Sequence, residues 1–225
     1  MLKELKPLNY LIDRHHRTST VFITSLAWTA ELLQGGAKTV ALCERCNNTT
    51  GSWYNPAYIR VVEACRALAT PENAGRLCEL RLDVHRQRVA KQALTSLVAT
   101  SQPGVTAYYP HLRRLLLDAE DRSALAPLRL WMFLRANPLA RITGIAMRVD
   151  FDRRAGYHLA EFSFWPLGWI LTFAEVAIEG ALDVSDWTQH GYHDKSDLRV
   201  GVPCQWAISP NNPADFRPPS AFGLQ

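Results

Sequence analysis

Several things are missing from this chain, and each absence narrows its class. No stretch reaches the 18 or more apolar residues of a membrane-spanning helix. The most apolar one, Trp165 to Phe173, is interrupted by Pro166 and Gly168. A secretory leader is not expected, because the charged lead runs on to Arg17. The apolar part behind it, Val21 to Ala30, is short and broken by Thr24, Ser25 and Thr29. There is no second C-x-x-C, and residues 1–37 hold no cysteine. The five cysteines, Cys43, Cys46, Cys65, Cys78 and Cys204, are odd in number with one tight pair. That usage belongs to reduced thiols rather than to a disulfide framework. Internal repeats and heptad runs are also missing. Together these absences predict a cytoplasmic protein with no membrane partner.

What is present suffices for a folded core. The chain has 225 residues, 48% of them hydrophobic, with seven Trp and eight Phe, which excludes global disorder. It is long enough for one large domain, or for a small module and a body of about 150 residues. The net charge of +4 is uneven. Residues 1–118 carry 15 Lys and Arg against 9 Asp and Glu, whereas residues 119–225 carry 10 against 12. A basic first half suits a polyanionic partner, although the same excess is also ordinary for a solvated surface.

Thr20 to Leu33 reads as a helix ended by Gly35 and Gly36. Val40 to Leu42 reads as a short strand. Pro56 to Ala69 has apolar residues at helical spacing with Pro56 in its first turn, and Thr70 to Gly75 is a break. Leu77 to Val84 alternates as a strand does. Arg86 to Ala99 is an amphipathic helix with Val89, Ala93, Leu94 and Leu97 inward and Arg86, Arg88, Lys91 and Gln92 mostly outward. Tyr108 to Leu117 is a second short helix. Leu128 to Leu134, Ile142 to Phe151 and Tyr157 to Phe164 predict three successive, neighbouring antiparallel strands. Gly168 to Phe173 and Leu198 to Ala207 add further strands. The fold class is α+β. A small ββα or zinc-knuckle-like module occupies residues 1–75. An α+β body occupies 76–225, where two helices precede an antiparallel sheet.

The densest chemistry lies in Leu42-Cys43-Glu44-Arg45-Cys46-Asn47-Asn48-Thr49-Thr50-Gly51-Ser52. Two thiolates separated by two residues are half of a tetrahedral Zn²⁺ site. The other half would come from His15, His16, Cys65 or Cys78. The alternative is a knuckle without metal, with Cys65 and Cys78 simply buried. Asn47 and Asn48 are also good helix caps and turn formers. His190 and His193, with Asp183 and Asp186 nearby, offer the makings of a metal or acid-base site. The plainer account is an aromatic-rich loop closing over the sheet. Glu161 stands alone among aromatics and is expected at an exposed edge.

The segment from Leu42 through Ser52, with Tyr54 and Pro56-Ala57-Tyr58, resembles the second half of an HNH endonuclease motif. More narrowly, it is similar to a poorly characterised bacterial group of HNH-like proteins. Three later stretches share that likeness: Gln87 to Ala93, Ala160 to Trp169 and Pro203 to Trp206. The resemblance implies that Cys43 and Cys46 hold a structural Zn²⁺ and that Asn47 sits at a catalytic Mg²⁺ or other divalent cation. It also implies a histidine general base upstream, in an Asp-His or Glu-His pair. The family usually places that base after a first C-x-x-C, which is absent here. Only His15 and His16 precede the knuckle, so His16 is the candidate base and a solvated basic turn is the alternative. Arg45, Arg60 and Arg88 are the expected nucleic-acid contacts, with DNA as the expected partner. The leading expectation is thus an HNH-type nucleic-acid-binding protein that is a weak or degenerate metal-dependent endonuclease. Against it stands a non-enzymatic protein or nucleic-acid-interaction module with a remnant knuckle. A third, minor reading is an unrelated enzyme built on His190 and His193.

Overall fold

The computed structural model of the chain describes residues 32–33, 36–37, 43–101, 105–150, 155–206 and 214–216. Near the start, β1 (Leu32–Leu33) and β2 (Gly36–Ala37) pair antiparallel, Leu32 opposite Ala37 and Leu33 opposite Gly36. The helix expected over Thr20 to Leu33 lies outside the described residues except for its last two, which are strand. Gln34 and Gly35 separate the paired Leu33 and Gly36, the two-residue spacing of a tight hairpin. The strand expected over Val40 to Leu42 lies outside the described residues.

Helix α1 (Glu44–Arg66) begins well before Pro56, which lies inside it. Proline in a helix interior removes one backbone donor and costs about 3 kcal/mol. Here the ring points to solvent while Tyr54, Ala57, Val61 and Cys65 form a buried stripe at helical spacing. Burying a full-sized apolar side chain contributes about 1.5–3 kcal/mol, so this face outweighs the local penalty. What reads as a separate knuckle turn is the helix's own first turn.

After a 3-10 turn at Pro71–Asn73 come β3 (Leu77–Val84), α2 (Arg86–Thr100), α3 (Val105–Tyr108) and α4 (Pro110–Leu117). Strands β4 (Arg129–Arg135), β5 (Arg141–Asp150), β6 (Ala155–Phe164), β7 (Leu167–Thr172), β8 (Leu182–Asp183) and β9 (Ser196–Gln205) follow. They form a seven-stranded sheet in the order β3-β9-β4-β7-β6-β5, with β8 also on β4. The architecture is therefore α+β. Two details correct the expected sheet. First, β4 and β5 are not neighbours: β6 turns straight back into β7, and β7 takes the place beside β4. Second, the sheet is mixed, because β4 and β9 run parallel through Leu134 opposite Cys204 and Arg135 opposite Gln205. The long crossing from β7 to β9 reverses the approach of the last strand. Gly168 lies directly opposite Phe133, whose ring covers it; a Cβ there would come within 2.2 Å of the ring.

Helices α1 and α2 share one hydrophobic cluster with the sheet. Val89, Ala93, Leu94 and Leu97 are wholly buried, as the amphipathic pattern predicts. The polar side of α2 departs from it, since Lys91 and Gln87 are also wholly buried. Lys91 Nζ donates to the carbonyls of Asp118 (2.8 Å) and Ala119 (3.1 Å), and Gln87 Nε2 donates to those of Asp121 and Thr188. The two side chains thus fasten the loop after α4 instead of forming an outward basic face.

Burial pushes the Lys91 ammonium down to about 8 from an ordinary 10.5. The folded state therefore pays a penalty for the charged form that is fully present below about pH 8 and fades as pH rises toward 10.5. We expect the wild type to gain stability relative to Lys91→Met across that window. Urea unfolding of both proteins checks this, and a pH-independent difference contradicts it.

Candidate nucleic-acid interface

The start of α1 is built by the C-x-x-C spacing itself. Cys43 is the N-cap, in an extended conformation, and its Sγ accepts the backbone N–H of Cys46 at 3.2 Å. Three residues is the distance from an N-cap to the donor it satisfies, so one cysteine does the work usually done by Ser or Asp. Asn47 N–H then donates to Cys43 O at 2.9 Å, and Thr50 Oγ1 donates to Cys46 O at 2.9 Å. This turn leaves Cys43, Arg45, Asn47 and Asn48 exposed at the positive end of a 23-residue helix.

Helix α4 is fixed beside it. The buried Tyr54 hydroxyl donates to Leu116 O at 2.9 Å. Arg113 of α4, exposed, lies near enough to Cys46 to act on it electrostatically, as Arg45 acts on Cys43. Two guanidinium groups therefore flank the helix start. The Cys43 thiol is held below its ordinary range, first by the Cys46 thiol and then by the Cys46 N–H. The contact with the Cys43 sulfur and partial burial push the Cys46 thiol up.

The remaining expected site residues are placed as follows. His15 and His16 lie outside the described residues. Arg60 is exposed on the same helix as Arg45, about 22 Å further along its axis, so the two cannot grip one phosphate but can follow one backbone. Arg88 is engaged elsewhere: its Nε donates to Tyr192 O at 2.9 Å and its guanidinium lies 3.9 Å from the centre of the Tyr192 ring. It holds the loop after the 3-10 turn Ser185–Gln189.

Among the described residues no three His, Cys, Asp or Glu side chains come together. Cys65 and Cys78 are buried away from solvent, and burial pushes the Cys65 thiol up to about 12. Further ligands for Cys43 and Cys46 would have to come from outside the described residues. The two sulfurs are 2.9 Å apart, closer than the roughly 3.8 Å that two thiolates on one tetrahedral Zn²⁺ keep. Asn47 is the only expected Mg²⁺ contact among the described residues, and a cation there would take its other ligands from phosphate, water or the segments outside. His193 is exposed, with Nε2 3.6 Å from Glu120, and His190 is half-buried. Asp194, next after His193, accepts the N–H of Gly191 at 2.7 Å, which makes this loop a turn.

Glu161 is the clearest correction. It lies on β6, inside the sheet, with no exposed side-chain surface. Its Oε1 accepts from Arg141 Nε and from Ser163 Oγ, each at 2.7 Å, and its Oε2 accepts from Ala214 N–H at 2.7 Å. Arg135 is also wholly buried, its Nη1 donating to Ser163 Oγ at 3.0 Å. Desolvation, and then the neighbouring Arg141, lower the Arg135 guanidinium to about 10. The sequence signal for this cluster is thin. Arg135 closes the apolar run of β4, and a charge at such a place reads by default as the strand's exit to solvent.

No protein-family model matches this chain, and no curated protein or solved structure is significantly similar to it. No helix among the described residues is long and apolar enough to cross a membrane.

Proposed function

We propose that this chain is a nucleic-acid-binding protein of the HNH type, with at most weak metal-dependent phosphodiester hydrolysis. The observation that carries the reading is the order of parts: a β1–β2 hairpin, then C-x-x-C, then Asn47 on the first turn of a long helix. That order is the ββα arrangement the motif resemblance implies. Arg45, Asn47 and Asn48 stand exposed on the first turn with Arg113 alongside. Phosphate is favoured there by backbone N–H groups, by the helix dipole and by two cations. A Mg²⁺ ion at Asn47 would polarise the phosphate.

Hydrolysis also needs a base, and His16, beside His15, is the candidate. General-base catalysis contributes about 10²–10⁴ in rate, so a poorly placed base leaves little cleavage while binding persists. The test is plasmid cleavage with Mg²⁺ or Mn²⁺ beside DNA binding. The expected result is binding with slow or no cleavage. Robust cleavage abolished by His16→Ala would reverse the catalytic part of the reading. An absence of binding at low salt would leave the interaction-module reading in its place.

A further inference from the structure

We propose that Cys43 and Cys46 form a dithiol–disulfide couple that exchanges with external disulfides, either small ones such as oxidised glutathione or those of another protein. The two sulfurs already touch at 2.9 Å. A disulfide needs about 2.0 Å, so closure moves them by less than about 1 Å, whereas seating both on one Zn²⁺ would drive them apart. The N-cap bond from Cys46 N–H fixes the Cys43 sulfur over the helix end, and Cys46 lies one turn in, facing it.

Exposure divides the labour. Cys43 is open to solvent, whereas Cys46 is partly covered. The Cys43 sulfur attacks one sulfur of the external disulfide, forms a mixed disulfide and releases one thiolate. The Cys46 sulfur then attacks the Cys43 sulfur, closes the Cys43–Cys46 bond and releases the second thiolate. The two protons of the cysteine pair pass to the two released thiolates. The pair loses two electrons, and the external disulfide gains them. Cys65, Cys78 and Cys204 are buried and take no part.

The test treats the native full-length protein with excess oxidised glutathione, followed by intact-mass measurement and thiol counting. The expected product is lighter by two hydrogen atoms, has lost two of its five thiols and carries no adduct. Cys46→Ser is expected to stop one step earlier, with a glutathione adduct at Cys43 that persists until a reductant is added. Cys43→Ser should be inert under the same conditions. Three results would overturn the proposal. One is retention of both thiols in the native wild type. Another is a stable adduct on the wild type like that on Cys46→Ser. The third is stoichiometric Zn²⁺ in the purified protein that shields the pair and is lost in Cys43→Ser.

Discussion

Glu161→Gln is expected to lower the stability of the protein by about 3–5 kcal/mol, the usual cost of removing one partner from a buried ion pair. The carboxylate is the shared acceptor of the cluster. It takes hydrogen bonds from Arg141 and Ser163 at 2.7 Å, and Arg135 Nη1 lies 3.9 Å away. Glutamine keeps the shape and some hydrogen bonds but leaves both wholly buried guanidinium groups without that countercharge. Among the described residues, Arg135 Nε and Nη2 already have no partner, so the cluster has no slack on the cationic side. A chain of this length loses about 2–4 °C in melting temperature per kcal/mol, which corresponds to a drop on the order of 10 °C. Replacing both partners, Glu161→Met with Arg141→Met, should recover part of the loss, because an apolar pair leaves fewer buried charges unmatched. Urea unfolding of the three proteins checks this; a loss below about 1 kcal/mol for Glu161→Gln would contradict the burial of the cluster.

Trp169→Ala is the second large effect, again about 3–5 kcal/mol, as expected for a buried tryptophan truncated in a core. Trp169 lies on β7 with no exposed surface. Its Nε1 donates to Tyr58 Oη at 3.0 Å, and the two rings pack with centroids 6.1 Å apart. Tyr58 is on α1, so this contact fastens the helix bearing the proposed interface to the sheet. Trp169→Phe retains most of the volume but leaves the Tyr58 hydroxyl without its donor. It should cost about 1 kcal/mol, the usual net value of one hydrogen bond. Circular dichroism melts of the two variants separate packing from the hydrogen bond. Equal losses would show that the contact contributes little as packing.

The strands were legible because aromatic and β-branched residues recur where the sheet needs them. Leu77 to Val84 forms a strand with the bounds that its alternation predicts. The inward face of α2 was equally legible from the spacing of Val89, Ala93, Leu94 and Leu97. Pairing order was not, because local periodicity says nothing about which strand lies beside which. The insertion of β7 between β4 and β6 is decided by the tight turn at Trp165 and Pro166. The start of α1 was misread because Pro56 signals a first turn by propensity, and the buried stripe of Tyr54, Ala57 and Val61 overrides that signal. Lys91 and Glu161 were misread for a related reason. A charge among apolar residues is placed at the surface by default, and only tertiary partners reveal that it is buried and satisfied.

The site was legible in part. Its residue types and order could be read, and Arg45, Asn47 and Asn48 are exposed, as the proposed interface requires. The sequence could not show that Arg88 is engaged by Tyr192 or that Arg113 reaches the helix start from α4. Nor could it show that the Cys43–Cys46 spacing also serves as a helix cap.

The most direct measurement of the central claim is salt-titrated binding of duplex DNA by the wild type and by Arg45→Glu with Arg113→Glu. An acidic residue in the first turn favours a helix N-terminus, so Arg45→Glu does not weaken α1 itself. Each phosphate contact contributes about −0.9 to the slope of log affinity against log salt. The account predicts a wild-type slope of about −2 or steeper and a shallower slope for the double variant, with at least roughly tenfold weaker binding at low salt. Equal affinity and slope in the two proteins, or no binding by either, would contradict it.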